Sequence, residues 1–88
     1  MIFITLCRFR GKPTKESAVE ASKLVERSVK EGGKILVVYW TLGRYDAVVI
    51  AERPDEKAEM RALLRSADKM STETLVAIPR DEALKLLE

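Results

Sequence analysis

The residues with the greatest potential for chemistry lie together at positions 39–46, which read Tyr-Trp-Thr-Leu-Gly-Arg-Tyr-Asp. The stretch holds three aromatic residues, and the rest of the chain has only two, Phe3 and Phe9. Tyrosine and tryptophan combine a large apolar area with a polar tip, which suits ligand walls and interfaces. An arginine can bind a carboxylate through two hydrogen bonds, and an aspartate can accept one from a ligand amine. The candidate ligand-binding residues here are Trp40, Gly43, Arg44, Tyr45 and Asp46.

Each of these residues also has a purely structural interpretation. Gly43 can supply a turn position with positive φ, and Asp46 can accept backbone N–H groups near the turn. Arg44 can pair with Asp46 or with a neighbouring subunit, or it can lie in solvent. The aromatic rings can pack in a core or an interface. If Asp46 binds a ligand, Asp46→Ala keeps the assembly and abolishes ligand uptake, whereas a structural Asp46 is needed for the fold itself.

Glu73 is a further candidate because it lies in the middle of a predicted strand. A carboxylate buried between subunits can act as a base, whereas an edge glutamate facing water or an ion pair has no such role. The polar residues of the two outer strands, Glu73 included, must in part face the space between two sheets. These are Thr5, Cys7, Thr72, Glu73 and Thr74.

Several kinds of chemistry are excluded by composition. The chain has no histidine and a single cysteine, so we expect no zinc or transition-metal site, no haem held by histidine and no catalytic triad. Gly32-Gly33 lacks the Gly-Lys-Ser/Thr continuation of a phosphate-binding loop. We therefore predict no cofactor. Cys7 cannot form a disulfide within the chain, and we expect it to be buried as a small apolar side chain.

The length of 88 residues predicts one domain over residues 1–88, whose isolated core would be marginal. The net charge is +2 and both signs are interspersed, which gives no support for a nucleic-acid arm or a membrane patch. The apolar start is too short for a signal peptide, and no run reaches the ~20 apolar residues of a membrane span. These features predict a cytoplasmic protein. Asparagine and glutamine are absent, which hints at a heat-adapted composition.

Hydrophobic periodicity and turn signals predict four strands and two main helices, with Gly32-Gly33 ending the first helix. Thr14 or Ser17 begins that helix, and Ser17 with Glu20 fits a capping box. Asp55 caps the second. The predicted strands span 1–9, 34–41, 46–52 and 71–79. The first main helix begins after residue 14 and runs to about 31, and the second begins after residue 55 and runs to about 67. A short terminal helix spans 81–87.

Each main helix shows an apolar stripe that we expect to face the sheet. The order βαββαβ predicts an α+β, ferredoxin-like fold, in which a four-stranded antiparallel sheet carries both helices on one face. The predicted stripes are Ala18, Ala21, Ser22, Val25 and Val29 in the first helix, and Met60, Leu63, Leu64 and Ala67 in the second.

The central strands are apolar on both sides, although two helices can cover only one face of the sheet. Strict alternation places Ile35, Val37 and Tyr39 on one side of the second strand, and Leu36, Val38 and Trp40 on the other. An antiparallel sheet with one wet face alternates apolar with polar residues. A large exposed apolar patch marks an interaction site, so we predict a homodimer or higher oligomer through the open face. The alternative is a monomer whose terminal helix folds over that face.

Residues 39–50, together with Glu52-Arg53-Pro54-Asp55-Glu56 and Thr72-Glu73-Thr74-Leu75, resemble the GYD domain family. The resemblance implies a dimeric α+β barrel. That group includes monooxygenases that need little or no cofactor, haem-degrading enzymes, isomerases and stress proteins. The Thr-x-Gly-x-Tyr-Asp hairpin is also similar to the effector-binding domain of leucine-responsive regulators, where the hairpin Gly and Asp lie at a contact between dimers that holds a small amino acid. Gly43, Tyr45 and Asp46 correspond. Those regulators carry a helix-turn-helix ahead of this domain, and we expect none in this chain and no direct reading of DNA.

Three functions follow as hypotheses. The first is a small-molecule-binding and assembly module with its ligand between sheets or between dimers. The second is a cofactor-free monooxygenase- or isomerase-like enzyme, in which Glu73, Tyr39 or Tyr45 acts as acid or base and Trp40 packs an aromatic substrate. The third is a structural assembly unit. A cavity of roughly 300 Å³ or more with convergent polar groups favours the first two, and the sequence does not decide whether catalysis occurs.

Overall fold

The computed structural model describes residues 1–88 and confirms the predicted order of elements. The four strands form one antiparallel sheet in the order β2-β3-β1-β4, so the fold is the expected ferredoxin-like α+β arrangement. None of the helices is both long and apolar enough to cross a membrane. The elements are β1 (Ile2–Phe9), α1 (Lys15–Lys30), β2 (Lys34–Trp40), β3 (Ala47–Glu52), α2 (Glu56–Arg65), β4 (Met70–Ala77) and α3 (Arg80–Lys85).

The helix ends follow the capping chemistry of the sequence, with one difference. Thr14 caps α1: its hydroxyl accepts from the Ser17 backbone N–H at 3.1 Å, and its own N–H donates to the Ser17 hydroxyl at 2.8 Å. The capping box therefore joins Thr14 and Ser17, and the predicted box of Ser17 with Glu20 is wrong. Asp55 caps α2 as predicted, accepting from the Ala58 N–H at 2.9 Å. Gly32, at φ +94°, follows the end of α1.

A β-bulge in β2 corrects the predicted alternation of that strand. Ile35 lies opposite Ala51, but the register then shifts, so that Val37 lies opposite Ile50. A bulge adds one residue and reverses which side chains share a face. Val37 and Tyr39 therefore lie on the face opposite to Ile35, whereas strict alternation had placed all three together.

The sheet has two unlike faces. The helix face carries the buried side chains Phe3, Thr5 and Cys7 of β1, and the open face carries the alternate residues of each strand, none of which is buried. The helix face also holds Ile35, Val38 and Trp40 of β2, Ala47, Val49 and Ala51 of β3, and Met70, Thr72 and Thr74 of β4. The open face holds Ile2, Ile4, Leu6, Arg8, Val37, Tyr39, Val48, Ile50, Glu52, Ser71, Glu73, Leu75 and Ala77.

Both main helices are rotated relative to their predicted stripes. On α2, Met60 and Leu64 are 63% and 70% exposed, while Glu59 is only 4% exposed. On α1, Val29 is exposed and Ser28 is buried. The α1 stripe is confirmed at Ala18, Ala21 and Val25, which line the space between the helices and the sheet, and it is wrong at Ser22 and Val29. The α2 stripe is confirmed only at Leu63 and is wrong at Met60, Leu64 and Ala67. The reason is a polar contact beneath the helices, described below, which draws Glu59 and Ser28 inward and leaves Met60 and Leu64 in solvent.

The apolar core is small for the length of the chain. Only 8 of 88 residues are buried, and the buried apolar ones are Phe3, Cys7, Ala47 and Ala51. The terminal helix α3 leaves its leucines exposed, and the open face remains uncovered. The structure therefore excludes the alternative in which the terminal helix shields this face.

Candidate functional site

The hairpin between β2 and β3 is fixed by its own polar groups. Gly43 has φ +102°, as a turn position requires. The Thr41 hydroxyl donates to the Tyr45 carbonyl at 2.7 Å. The Asp46 carboxylate accepts from the Phe9 N–H at 2.8 Å, which ties the hairpin to the end of β1. Asp46 therefore has a structural partner within the chain.

We expect Asp46→Ala to lower the free energy of unfolding by about 1–3 kcal/mol, because the half-buried Phe9 N–H loses a charged acceptor. Urea unfolding at fixed protein concentration measures this loss. Asp81→Ala, in the exposed first turn of α3, is the control and changes stability by much less. A stability equal to that of the unsubstituted chain would contradict the structural role of Asp46.

Tyr45 and Glu73 meet on the open face of the sheet. The Tyr45 hydroxyl donates to the Glu73 carboxylate at 2.5 Å. The guanidinium carbons of Arg8 and Arg44 lie 5.5 and 5.8 Å from the centre of the Tyr45 ring, within the range of cation–π attraction. Arg8 also donates to the Arg44 carbonyl at 2.9 Å. Arg44, Tyr45 and Glu73 thus come together, and Arg8 joins them; we call these four residues the hairpin cluster.

The hairpin cluster raises the pKa of the Tyr45 phenol, mainly through the hydrogen bond to Glu73. That bond stabilises the protonated phenol, so its loss should lower the pKa. We expect Glu73→Ala to move Tyr45 ionisation to lower pH. The chain has two tyrosines, so absorbance titration in a Tyr39→Phe background follows Tyr45 alone. An unchanged midpoint after Glu73→Ala would contradict the contact.

Trp40 lies on the other face of the sheet. Its ring packs edge-on against Phe9, with ring centres 5.3 Å apart and an angle of 65° between the planes. Trp40 and Glu73 therefore cannot line the same site within one chain. The six predicted site residues therefore do not form one site. Trp40 lies on the helix face, and Gly43 and Asp46 hold the hairpin in its conformation. The other three, Arg44, Tyr45 and Glu73, belong to the hairpin cluster.

A cavity of about 410 Å³ lies between the two helices and the helix face of the sheet. Most of its lining is apolar and comes from every strand and from both main helices. Trp40 and Phe9 form one wall. Other apolar lining residues are Ala18, Ala21, Leu24, Val25, Ile35, Val38, Ala47, Val49, Ala62, Leu63 and Met70.

A buried polar network forms part of the cavity wall. Its members are Thr5, Ser28, Arg53, Glu59 and Thr74. Arg53 Nε donates to Glu59 Oε2 at 3.0 Å, and Arg53 Nη1 donates to the Ser28 hydroxyl at 2.6 Å. The Thr5 hydroxyl lies 3.3 Å from both Glu59 Oε1 and the Thr74 hydroxyl. Apart from Thr74, these side chains are more than nine-tenths buried. Burying charges is costly unless they are paired and hydrogen-bonded, and this pair meets both conditions.

Gly33 makes room for this network. A Cβ atom at Gly33 would lie 2.5 Å from Arg53 Nη1 and 2.9 Å from the Ser28 carbonyl oxygen. Glycine is therefore required by close approach at this position, although its φ is ordinary. Beside the network, the Cys7 thiol also lines the cavity, and its pKa is raised, first by burial and then by the charge of Glu59.

The sequence predictions missed Ser28, Arg53 and Glu59. The available signal was the spacing in α2, where Ala58, Glu59, Ala62 and Leu63 form a helical stripe with a carboxylate inside it. The more apolar stripe through Met60 and Leu64 obscured it. No cluster of three or more histidine, cysteine, aspartate or glutamate side chains is positioned to hold a metal ion.

The family model of the GYD domain matches residues 3–87. The chain belongs to the GYD domain family. Among solved structures, the domain is similar to a chain described as the crystal structure of FFRP-DM1, at a TM-score of 0.56 and 22% identity. The match covers 89% of this chain and 100% of that one. It agrees with the predicted similarity in fold to leucine-responsive regulators. A comparison with curated proteins gave no match.

Proposed function

We propose that this GYD domain is a small-molecule-binding module that associates with itself through the open face of the sheet. The observation that carries the binding role is the 410 Å³ cavity, whose apolar wall meets a buried Arg53–Glu59 pair. Ligand pockets of this size are mostly apolar, with a few polar groups that fix orientation. A purely structural unit would instead fill this space with side chains.

Self-association is supported by the apolar character of the uncovered face. Ile4, Val48 and Ile50 lie at its centre, and the larger set also includes Leu6, Val37, Tyr39 and Leu75. Leu75 and Tyr39 are 47% and 63% exposed in the single chain. Contiguous apolar patches of this kind mark interaction sites, and a second copy offers the same patch in two-fold symmetry.

In this proposal the hairpin cluster lies at the edge of the interface between two copies and helps to set its register. Arg44, Tyr45 and Glu73, with Arg8, place two cations and one carboxylate beside the apolar face, and such charges set the register of an interface. Gly43 and Asp46 hold the hairpin in position, and Trp40 lines the cavity. Location in the cytoplasm and heat adaptation stay predictions from composition.

The predicted arrangement of the enzyme hypothesis is not favoured, because Trp40 lies on the helix face. The three acid–base candidates, Tyr39, Tyr45 and Glu73, lie on the side of the open face. A binding module needs only the cavity and its polar network. Binding without catalysis is therefore the function that this geometry supports best.

The binding role can be tested with 1-N-phenylnaphthylamine, an uncharged dye whose fluorescence rises in apolar sites. We expect saturable binding by the unsubstituted chain, and at least about tenfold weaker binding by Ala62→Phe, because the added ring fills the cavity. Ala67→Phe is the matched control, since Ala67 is exposed and outside the cavity lining. Equal binding by Ala62→Phe and the unsubstituted chain would contradict a ligand site here.

A further inference from the structure

The inner part of the cavity has balanced charge. Arg53 and Glu59 form an ion pair whose side chains are 7% and 6% exposed. The Cys7 thiol nearby stays protonated near neutral pH, because burial and the charge of Glu59 raise its pKa. The buried polar network thus contains one positive charge, one negative charge and otherwise neutral hydroxyl groups.

Two lysines also line the cavity, but they lie where it opens to solvent. Lys12 is exposed in the loop before α1, and Lys69 pairs with the exposed Glu20. Water and salt screen charges at such positions. The electrostatic selection of a deeply bound group therefore depends on Arg53 and Glu59.

Arg53 keeps one nitrogen that hydrogen-bonds to nothing else in the chain. Arg53 uses Nε for Glu59 and Nη1 for Ser28, whereas Nη2 makes no hydrogen bond within the chain. Both oxygens of Glu59 already accept, one from Arg53 and one from Thr5. A bound molecule can therefore complete the hydrogen bonding of Arg53 by offering an acceptor, while each oxygen of Glu59 already accepts one hydrogen bond.

We infer that the cavity binds an uncharged, mainly apolar molecule that carries a hydrogen-bond acceptor such as an amide or carbonyl oxygen. This inference rests on the proposed binding function. A carboxylate ligand would lie beside Glu59 or break the Arg53–Glu59 pair, and an ammonium ligand would lie beside Arg53. Either leaves an uncompensated charge in a poorly solvated site, which is strongly unfavourable.

Three probes with the same ring system test the inference: 2-naphthamide, 2-naphthoate and 2-naphthylmethylammonium. Calorimetric titration of the full chain at pH 7 should show 2-naphthamide binding at least about tenfold more tightly than either ion. Equal affinities, or a preference for either ion, would overturn the inference and leave the binding function intact. If none of the three binds and the dye also fails to bind, the proposed function itself fails.

Changing the balance of charge should change the preferred probe. Glu59→Gln leaves Arg53 as the unbalanced charge, so we expect 2-naphthoate to become the preferred probe. Arg53→Gln leaves Glu59 unbalanced and should favour 2-naphthylmethylammonium. Glu31→Gln, which removes an exposed carboxylate, is the control and should keep the original order. A folded Glu59→Gln chain that still prefers the amide contradicts the inference; if neither variant folds, the order of affinities in the unsubstituted chain decides.

Discussion

The Ile50→Lys chain is expected to sediment as a monomer at micromolar concentrations at which we expect the unsubstituted chain to be a dimer. Ile50 lies on β3, opposite Ile4 of β1 and Val37 of β2, near the centre of the open face. In the single chain this face is solvated, so a lysine there costs little. Within a face-to-face dimer, each substitution would bury an ammonium group without a partner.

The size of this effect follows from the cost of an uncompensated buried charge, which is about 3–5 kcal/mol. Every 1.4 kcal/mol is about tenfold in a dissociation constant, so we expect dimerisation to weaken at least about 100-fold. Sedimentation velocity over a concentration series measures the change directly.

Leu64→Lys provides the matched control for this experiment. It introduces the same charge on α2, at an apolar side chain that is 70% exposed and lies away from the open face. We expect this variant to keep the dimer. If the unsubstituted chain is a monomer, or if Ile50→Lys and Leu64→Lys behave alike, association through the open face is wrong.

Breaking the buried ion pair on the other face is expected to destabilise the fold by about 3–5 kcal/mol. Arg53→Met leaves Glu59 without its positive partner, although its side chain is only 6% exposed. A domain of ordinary stability has about 5–15 kcal/mol in total. Urea unfolding should therefore show a much lower midpoint.

The double variant Arg53→Met with Glu59→Leu should recover most of this loss, because no charge is then left unpaired in the cavity wall. Well-packed apolar residues often replace a buried ion pair at no net cost. The coupling between the two substitutions is measured by a double-mutant cycle at fixed protein concentration. Additive effects of the two single substitutions would contradict a direct pair.

A surface ion pair supplies the comparison for this cycle. Arg61 lies 3.9 Å from Glu31, and its side chain is 56% exposed. Exposed pairs contribute about 0–1 kcal/mol, so Arg61→Met should change stability far less than Arg53→Met. A loss as large as that of Arg53→Met would show that burial does not set the cost.

The local elements could be predicted from the sequence because their signals are local. Gly32 and Gly43 adopt the positive φ that a helix end and a turn require. Asp55 caps α2 by accepting from the N–H of Ala58, three residues later. The order of strands and helices then leaves few ways to build the sheet, since crossover connections are right-handed. The capping box of α1 was predicted in kind but placed three residues too late. It joins Thr14 with Ser17, and not Ser17 with Glu20.

The side-chain arrangement on each element was decided by tertiary contacts. Periodicity favoured the stripe through Met60 and Leu64, but Glu59 turns inward because Arg53, directly after β3, requires a buried acceptor. Similarly, the bulge after Ile35 reverses which face of the sheet the later side chains of β2 lie on. The alternation of apolar residues in the sequence does not predict this bulge.

The sequence by itself determined that the sheet would have two apolar faces and helices for only one. Apolar residues occupy both sides of the central strands, and two helices can cover only one side. Only the tertiary structure decided where a ligand could lie. The cavity and its ion pair depend on how far the helices stand from the sheet and which way they are rotated, and these are properties of contacts between distant residues, such as Thr5 with Glu59 and Ser28 with Arg53.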